Sequence, residues 1–148
     1  MTNFEPADGD YEARCRAHFT RQQIMTTLGC ELTVVRPGYA EIEMPFSEAF
    51  TQQDGVLQAG MPAVIGDNAG GYAALSLLPP GADVLAVEFK INFLSPGIGD
   101  RFRACARVIK PGRTLIVTDV EIFALKGDTA KLIAKMQQTV FRVDRGVG

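Results

Sequence analysis

One carboxylate, Asp67, lies in the middle of a stretch of the chain that is otherwise apolar and rich in small residues. The stretch begins near Gly60, and Pro79 and Pro80 end it. A lone carboxylate among apolar neighbours is either a structural group bonded to nearby backbone or tyrosine, or a general base. Burial suits a base, because it disfavours the charged form and raises the pKa toward neutrality. The residue types by themselves leave both interpretations open.

The stretch around Asp67 predicts a long helix that is buried on nearly every side. Its apolar residues cover the whole circumference instead of one stripe, and Pro62 suits the first turn. Gly66, Gly70 and Gly71 are poor helix formers, each costing about 1 kcal/mol relative to Ala. We therefore expect a sheet or a second helix to pack very close to them.

The N-terminal part of the chain predicts a loose lead-in, one helix and a hairpin. The lead-in covers residues 1–8, and the helix covers residues 10–28 with Asp10 as its cap. Strands at 31–35 and 39–46 follow, separated by the turn residues Arg36-Pro37-Gly38.

After Pro80 the apolar residues recur with a period of two, which predicts strands. The strands cover about 85–93, 100–109, 114–124 and 131–143, and a polar tail covers 144–148. In the first of them, one face carries Leu85, Val87, Phe89, Ile91 and Phe93. The residues Lys110-Pro111-Gly112-Arg113 predict a type II turn. We expect one α+β domain over residues 1–148, with a curved antiparallel sheet of about six strands around one long buried helix.

The composition narrows the class of protein. The chain has 148 residues, 47% hydrophobic and 22% charged, with a net charge of −2, so we expect no nucleic-acid partner. Its three cysteines, Cys15, Cys30 and Cys105, have no metal-ligand spacing. Neither a signal peptide nor an apolar run of about 18 residues is present in the sequence. We therefore expect a cytoplasmic protein with no membrane partner, no metal and no cofactor.

Several segments resemble the PaaI-like hotdog acyl-CoA thioesterases. They are residues 52–60, the run Asp67-Asn68-Ala69-Gly70-Gly71, and residues 87–96 and 110–115. The resemblance implies the hotdog fold, an acyl-CoA substrate hydrolysed to free acid and CoA, and no cofactor. It also implies a homo-oligomer, either a dimer or a dimer of dimers, in which each site is built from two subunits.

The resemblance also implies residue roles. Asp67 falls on the acidic position that acts as general base or nucleophile, and Gln52 on the amide that positions water. The backbone N–H of Ala59 polarises the thioester carbonyl, as free N–H groups at a helix N-terminus can. The substrate-binding positions that the resemblance implies are Gly60, Asn68, Phe93, Leu94, Ser95, Pro96, Lys110, Gly112 and Arg113. Residues 93–96 would line a pantetheine channel. Lys110 and Arg113 are either ligands of the CoA phosphates, as the resemblance implies, or a solvated hairpin tip.

One residue departs from the family pattern. The triplet Gln58-Ala59-Gly60 has glutamine where the family carries histidine. Gln58 is either an amide donor to the thioester in place of the imidazole or a loop amide that bonds to backbone groups. The missing histidine leaves open a second function, a non-hydrolytic acyl-CoA-binding hotdog protein. A dehydratase would need a histidine near the helix, and we interpret the one histidine, His18, as structural.

Overall fold

The computed structural model of the protein describes residues 3–145. The α-helices are α1 (Tyr11–Phe19), α2 (Gln23–Thr27) and α3 (Gly60–Leu75). The strands are β1 (Glu31–Arg36), β2 (Tyr39–Pro45), β3 (Ala82–Phe93), β4 (Arg101–Pro111), β5 (Leu115–Lys126) and β6 (Thr129–Asp144). A short 3₁₀ helix, Glu48–Phe50, lies between β2 and α3.

The six strands form one antiparallel sheet in the order β1-β2-β4-β5-β6-β3. Helix α3 packs on one face, which we call the inner face, and its closest packing is against β2, β4 and β5. The core is the apolar layer between α3 and this face, with fully buried Ile42, Phe102, Ile122 and Met136 among its large side chains. This arrangement confirms the predicted hotdog fold.

Helix α3 forms where it was predicted, and two of its glycines explain how close the sheet comes. A Cβ added at Gly66 would lie 3.1 Å from Met136 Cε, and one added at Gly70 would lie 2.8 Å from Thr118 Oγ1. The helix ends at Leu75, before the two prolines. The buried Ser76 follows, and its Oγ accepts from Gly38 N–H at 2.8 Å, which ties the helix end to the β1–β2 turn.

The single first helix predicted over residues 10–28 is wrong, because the chain forms two helices there. After Phe19, the N–H groups of Arg21 and Gln22 bond three residues back, and Gln22 takes an extended conformation (φ −80°, ψ 106°). This break lets the Gln22 amide donate to Tyr72 Oη at 2.7 Å. Asp10 lies at the N-cap position of α1, but its side chain makes no capping hydrogen bond.

The start of the chain differs from the predicted loose lead-in. Ala7 N–H donates to Leu77 O at 3.3 Å, and the Phe4 ring packs over Gly38 so closely that a Cβ there would lie 2.5 Å from Phe4 Cδ2. Residues 3–8 are therefore part of the packed structure. At the other end, Asp144 belongs to β6; residues 1–2 and 146–148 lie outside the described part of the chain.

The face predicted for β3 is wrong at Leu85. A β-bulge between Ala86 and Glu88 shifts the register against β6. As a result Leu85 pairs with Phe141 and is 55% exposed on the outer face of the sheet, whereas Phe89 pairs with the buried Gln138 on the inner face. Alternation in sequence cannot reveal such an extra residue.

The turn between β4 and β5 is not type II. That turn would need a positive φ at Gly112, and Gly112 does not have one. Strand β4 instead continues through Pro111 after a register shift near Ile109, and Gly112 N–H donates to Lys110 O at 3.1 Å. A Cβ at Gly112 would overlap Leu115 O, so the close approach of the two strands requires glycine here.

The three cysteines are free thiols. Cys15 and Cys30 are buried in the core, and Cys105 is half-buried on β4. Within residues 3–145, no group of three or more His, Cys, Asp or Glu side chains could hold a metal ion. No helix in the described part of the chain has the length and apolar character to cross a membrane.

Candidate active site

Asp67 lies on α3 and faces a cavity of about 380 Å³. The cavity is open between α3, α1 and the edge strand β3. Asn68 lines it too, and its Nδ2 donates to Val64 O at 3.0 Å, so that amide is held by its own helix. The other polar residues that line the cavity are His18, Gln22, Tyr72, Asp83 and Gln138.

The electrostatic environment of Asp67 is that of a base. Burial raises the pKa of its carboxyl group above the ordinary value of 3.8, and a hydrogen bond from Gln138 opposes that shift. Gln138 Nε2 donates to Asp67 Oδ1. A half-buried carboxylate with a raised pKa holds a proton more readily than an exposed one, which is what a general base in a neutral solution needs.

Ala59, Gln52 and the predicted channel residues line a second cavity of about 450 Å³. Ala59 is the N-cap of α3, and its N–H donates to no group within the described residues. Gln52 Oε1 accepts from Asp54 N–H, so this amide also orders its own loop. The remaining lining residues include the predicted Phe93, Leu94, Ser95 and Pro96.

Gln58 caps the start of α3. Its Oε1 accepts from Gly60 N–H at 2.5 Å, and its backbone O accepts from Met61 N–H at 2.9 Å. The side chain therefore satisfies one of the free N–H groups of the first turn. Its Nε2 is the donor that remains for other contacts. This geometry agrees with the interpretation of Gln58 as a loop amide. The N–H group of Gly60 is already bonded to the Gln58 side chain.

Within one chain, the two halves of the predicted site are apart. Asp67 comes eight positions after Ala59 along α3, which corresponds to about 12 Å of helix rise. The two residues also line different cavities. Asp67 and the Ala59 N–H of the same chain therefore do not reach the same thioester carbonyl.

The predicted phosphate-binding residues lie at the β4–β5 connection and line neither of the two cavities. Thr114 O accepts from Arg142 N–H at 2.8 Å, and Arg142 pairs with Val84 in β3. Lys110, Gly112 and Arg113 are thus at the end of the sheet where β3 begins.

Comparison with known proteins assigns the family. The sequence model of the thioesterase superfamily matches residues 54–131, more than half of the chain. The chain belongs to the thioesterase superfamily.

Relatives and solved structures agree with this membership. The human protein named acyl-coenzyme A thioesterase 13 is 33% identical over 109 residues, which cover 73% of this chain and 76% of that protein. A thioesterase family protein from Silicibacter pomeroyi is 43% identical, with a TM-score of 0.88 over 90% of this chain and 98% of that one. The PaaI protein of E. coli, 24% identical, shares the fold with a TM-score of 0.82 over 90% and 94% of the two chains. The chain is accordingly a thioester hydrolase.

Two polar features of this thioesterase were not predicted from its sequence. The first is a cluster in the Asp67 cavity, in which Tyr72 Oη lies 3.0 Å from His18 Nδ1 and His18 Nε2 lies 3.4 Å from Asp83. The second is Gln138, which is fully buried on β6. A signal for Gln138 was present, because it interrupts the inward-facing series Ala134, Met136 and Val140. The first cluster joins three separate elements and has no local signature.

Proposed function

We propose that this thioesterase hydrolyses acyl-CoA, with Asp67 as general base or nucleophile. The observation that carries the proposal is the position of Asp67, a half-buried carboxylate on α3 that faces a cavity and has a raised pKa. The human relative is named for acyl-coenzyme A, which supports the CoA thioester as substrate. Superfamily membership favours hydrolysis over the binding-only alternative, in which Gln58 marks a lost activity.

In the base mechanism, Asp67 takes a proton from water while the water oxygen attacks the thioester carbonyl carbon. The carbonyl oxygen becomes an oxyanion, and the Ala59 N–H at the positive end of the α3 dipole donates to it. The tetrahedral intermediate then collapses and the C–S bond breaks. CoA leaves as a thiolate, which is stable enough (thiol pKa about 8.5) that no histidine acid is needed.

In the nucleophile mechanism, the Asp67 carboxylate attacks the thioester carbonyl directly, and water hydrolyses the resulting anhydride. Gln52 orients the water in either mechanism.

A second copy of the chain would complete this site, and the edge strand β3 supports such a dimer. β3 has one unpaired edge, and Leu85, Val87, Phe89 and Phe93 on it are 42–56% exposed. Residues 84–86 line the Asp67 cavity, and Phe93 lines the Ala59 cavity. Antiparallel pairing of two β3 strands about a two-fold axis sets the first end of one against the last end of the other. Asp67 of one copy would then approach the Ala59 N–H of its partner.

The same dimer supports the substrate-binding roles. Phe93, Leu94, Ser95 and Pro96 line the cavity that holds the Ala59 N–H, as a pantetheine channel would. Lys110 and Arg113 lie beside the start of β3 and so would come near the partner's channel, with Gly112 between them as the spacer. Charged side chains at that position suit the phosphates of CoA. A dimer of dimers would repeat this site, and the three free thiols support a reducing compartment such as the cytoplasm.

The proposal is tested with purified protein and three acyl-CoAs, benzoyl-, hexanoyl- and palmitoyl-CoA, by following the release of free thiol. We expect wild type to hydrolyse at least one of them and Asp67→Asn to lose about 10²- to 10⁴-fold in kcat, the range of a general base. Asparagine preserves the volume of the side chain but cannot take the proton. Asp54→Asn, a carboxylate on the exposed loop before α3, is the matched control and keeps the wild-type rate. An Asp67→Asn rate within a few-fold of wild type would show that Asp67 is structural.

A further inference from the structure

Gln138 is a polar side chain in an otherwise apolar layer. It is 0% exposed on the inner face of β6, between the buried Met136 and Val140. An amide that is buried without replacing its hydrogen bonds to water destabilises the folded protein. A fully buried glutamine therefore needs hydrogen-bond partners. Its partners identify what it does.

The Gln138 amide is oriented by a residue on each side. On one side, Thr118 Oγ1 donates to Gln138 Oε1 at 3.3 Å, and Thr118 is itself 0% exposed on β5. On the other side, Gln138 Nε2 donates to Asp67 Oδ1 and lies 3.3 Å from the backbone O of Asp67. An ionised carboxylate and a carbonyl oxygen only accept hydrogen bonds, so the NH₂ end of the amide must face Asp67.

Gly70 provides the space for this contact. A Cβ at position 70 would overlap Gln138 Oε1 and come within 2.8 Å of Thr118 Oγ1. One turn of α3 therefore lacks a side chain at the point where the amide crosses from the sheet to the helix. Glycine at this position lowers the stability of the helix by about 1 kcal/mol relative to Ala.

The two oxygens of the Asp67 carboxylate differ. Hydrogen bonds from the described residues reach Oδ1 alone. Every buried side-chain nitrogen and oxygen within residues 3–145 has a partner, so Oδ2, which has none there, is open to the cavity. One oxygen is fixed by the protein and the other is available to a water molecule.

We propose that Gln138 is the positioning residue that directs Asp67 Oδ2 at the attacking water. Thr118 orients the Gln138 amide, and Gly70 leaves the space that the amide occupies. This inference rests on the proposed role of Asp67 as the base. A carboxylate that rotates freely spends part of its time with neither oxygen directed at the attacking water. A carboxylate held by a hydrogen bond keeps one oxygen directed at it. Gln138 touches no substrate atom and acts through Asp67.

The other titratable groups near Asp67 are few. His18 of α1, Tyr72 of α3 and Asp83 of β3 line the same cavity, and Cys15 of α1 is buried in the adjoining core. The residues of β2, β4 and β5 that face α3 are apolar apart from Thr118. Since the Gln138 hydrogen bond lowers the pKa of Asp67, its loss moves the acid limb of the pH–rate profile to higher pH.

The test compares Gln138→Met with Gln137→Met in the whole protein, using benzoyl- or hexanoyl-CoA, whichever wild type hydrolyses faster. Met has the length of Gln but donates no hydrogen bond. Gln137 is the neighbour on the opposite, exposed face of β6. We expect Gln138→Met to lower kcat by about 10- to 100-fold, as small misplacements of a catalytic group do. KM changes little and the acid limb moves up in pH, while Gln137→Met matches wild type.

A Gln138→Met protein with the wild-type kcat and acid limb would overturn the inference. A lower kcat with an unmoved acid limb would also overturn it, because that pattern belongs to a packing defect. Gly70→Ala is a second test, because it keeps Gln138 but displaces its side-chain amide. A wild-type kcat and acid limb in Gly70→Ala would count equally against the inference. Asp67→Asn is measured alongside. If it stays active the proposed function fails; if it is inactive while Gln138→Met behaves as wild type, only the positioning role fails.

Discussion

Burial affects Asp67 in two ways, because the loss of water that suits its proposed role as a base also disfavours its charged form in the folded protein. Its folded-state pKa is raised above the ordinary value of 3.8. The stability linked to such a group is present at low pH and is lost as the pH rises through the raised pKa. At neutral pH the charged Asp67 therefore lowers the free energy of unfolding.

We predict that Asp67→Asn is at least as stable as wild type at pH 7, because a neutral amide replaces the buried charge. The difference in Tm should shrink as the pH falls through the raised folded-state pKa toward 3.8, because Asp67 then becomes protonated in the folded state, and below 3.8 it is mostly protonated in the unfolded state too. Differential scanning calorimetry of both proteins between about pH 3 and about pH 7.5, in steps of roughly one pH unit, measures this Tm difference. A Tm difference that is the same at every pH would contradict the assignment of the effect to Asp67 ionisation.

Single residues also show how far sequence reasoning reaches. Asp67 could be singled out because a carboxylate is conspicuous in an apolar helix and because motifs surround it at family spacing. Gln138 could not be connected with it, since 71 positions separate the two and the contact depends on how β6 crosses α3. The capping role of Gln58 depends on a side-chain rotamer, which residue type does not determine.

Among the secondary-structure elements, α3 carries three glycines after its first residue, Gly60, and the surroundings of these three differ. Gly66 and Gly70 face the sheet so closely that a Cβ would have to displace a neighbouring side chain. A Cβ at Gly71 would lie 3.7 Å from Val84 Cγ2, an ordinary van der Waals contact. Only the first two glycines are therefore required by packing within the chain.

We predict that Gly71→Ala raises the free energy of unfolding by about 0.5–1 kcal/mol, the difference in helix propensity and unfolded-chain entropy. Gly70→Ala gains the same propensity but displaces the Gln138 amide, so we expect it to be no more stable than wild type. Urea denaturation at matched protein concentration compares the two. Equal stabilisation by both substitutions would mean that the sheet yields easily at Gly70.

The order and type of the elements follow from sequence periodicity, but their irregularities do not. Alternation predicted β3, and the β-bulge between Ala86 and Glu88 then moved Leu85 to the other face. The first helix was predicted as one piece because the apolar residues continue through it, whereas α1 ends at Phe19 and the extended Gln22 donates to Tyr72. Both departures depend on contacts with elements far along the chain.

For the molecule as a whole, the separation of Asp67 and Ala59 predicts subunit complementation. Asp67→Asn removes the proposed base, and Ala59→Pro removes the proposed oxyanion donor, its N–H, while fitting the φ of −57° at this position. We expect each variant to be inactive by itself. Co-expressed with different tags, they should recover about a quarter of wild-type activity, because half of the dimers are mixed and each mixed dimer carries one intact site.

The control is the double variant Asp67→Asn/Ala59→Pro co-expressed with wild type. Its mixed dimers, isolated through their two tags, carry one altered residue at each of their two sites, so both sites are impaired and the isolated mixed dimers should be inactive, whereas isolated mixed dimers of the two single variants should keep about half of the wild-type activity. Activity of the co-expressed single variants no higher than that of either variant alone would contradict a site shared between two copies. A mass of about one chain, 16.0 kDa, by light scattering at micromolar concentration would contradict the dimer itself.

The buried thiols have a practical consequence for measuring slow variants of this protein. Burial raises the pKa values of Cys15 and Cys30 to about 11 each, and it raises the pKa of Cys105 as well. At a pKa of about 11, roughly one thiol in ten thousand is ionised at pH 7, and only the thiolate reacts with disulfide reagents. The protein should consume such a reagent far more slowly than free CoA does. A colorimetric readout of CoA therefore keeps a low blank even at enzyme concentrations equal to the substrate, where a single turnover becomes visible.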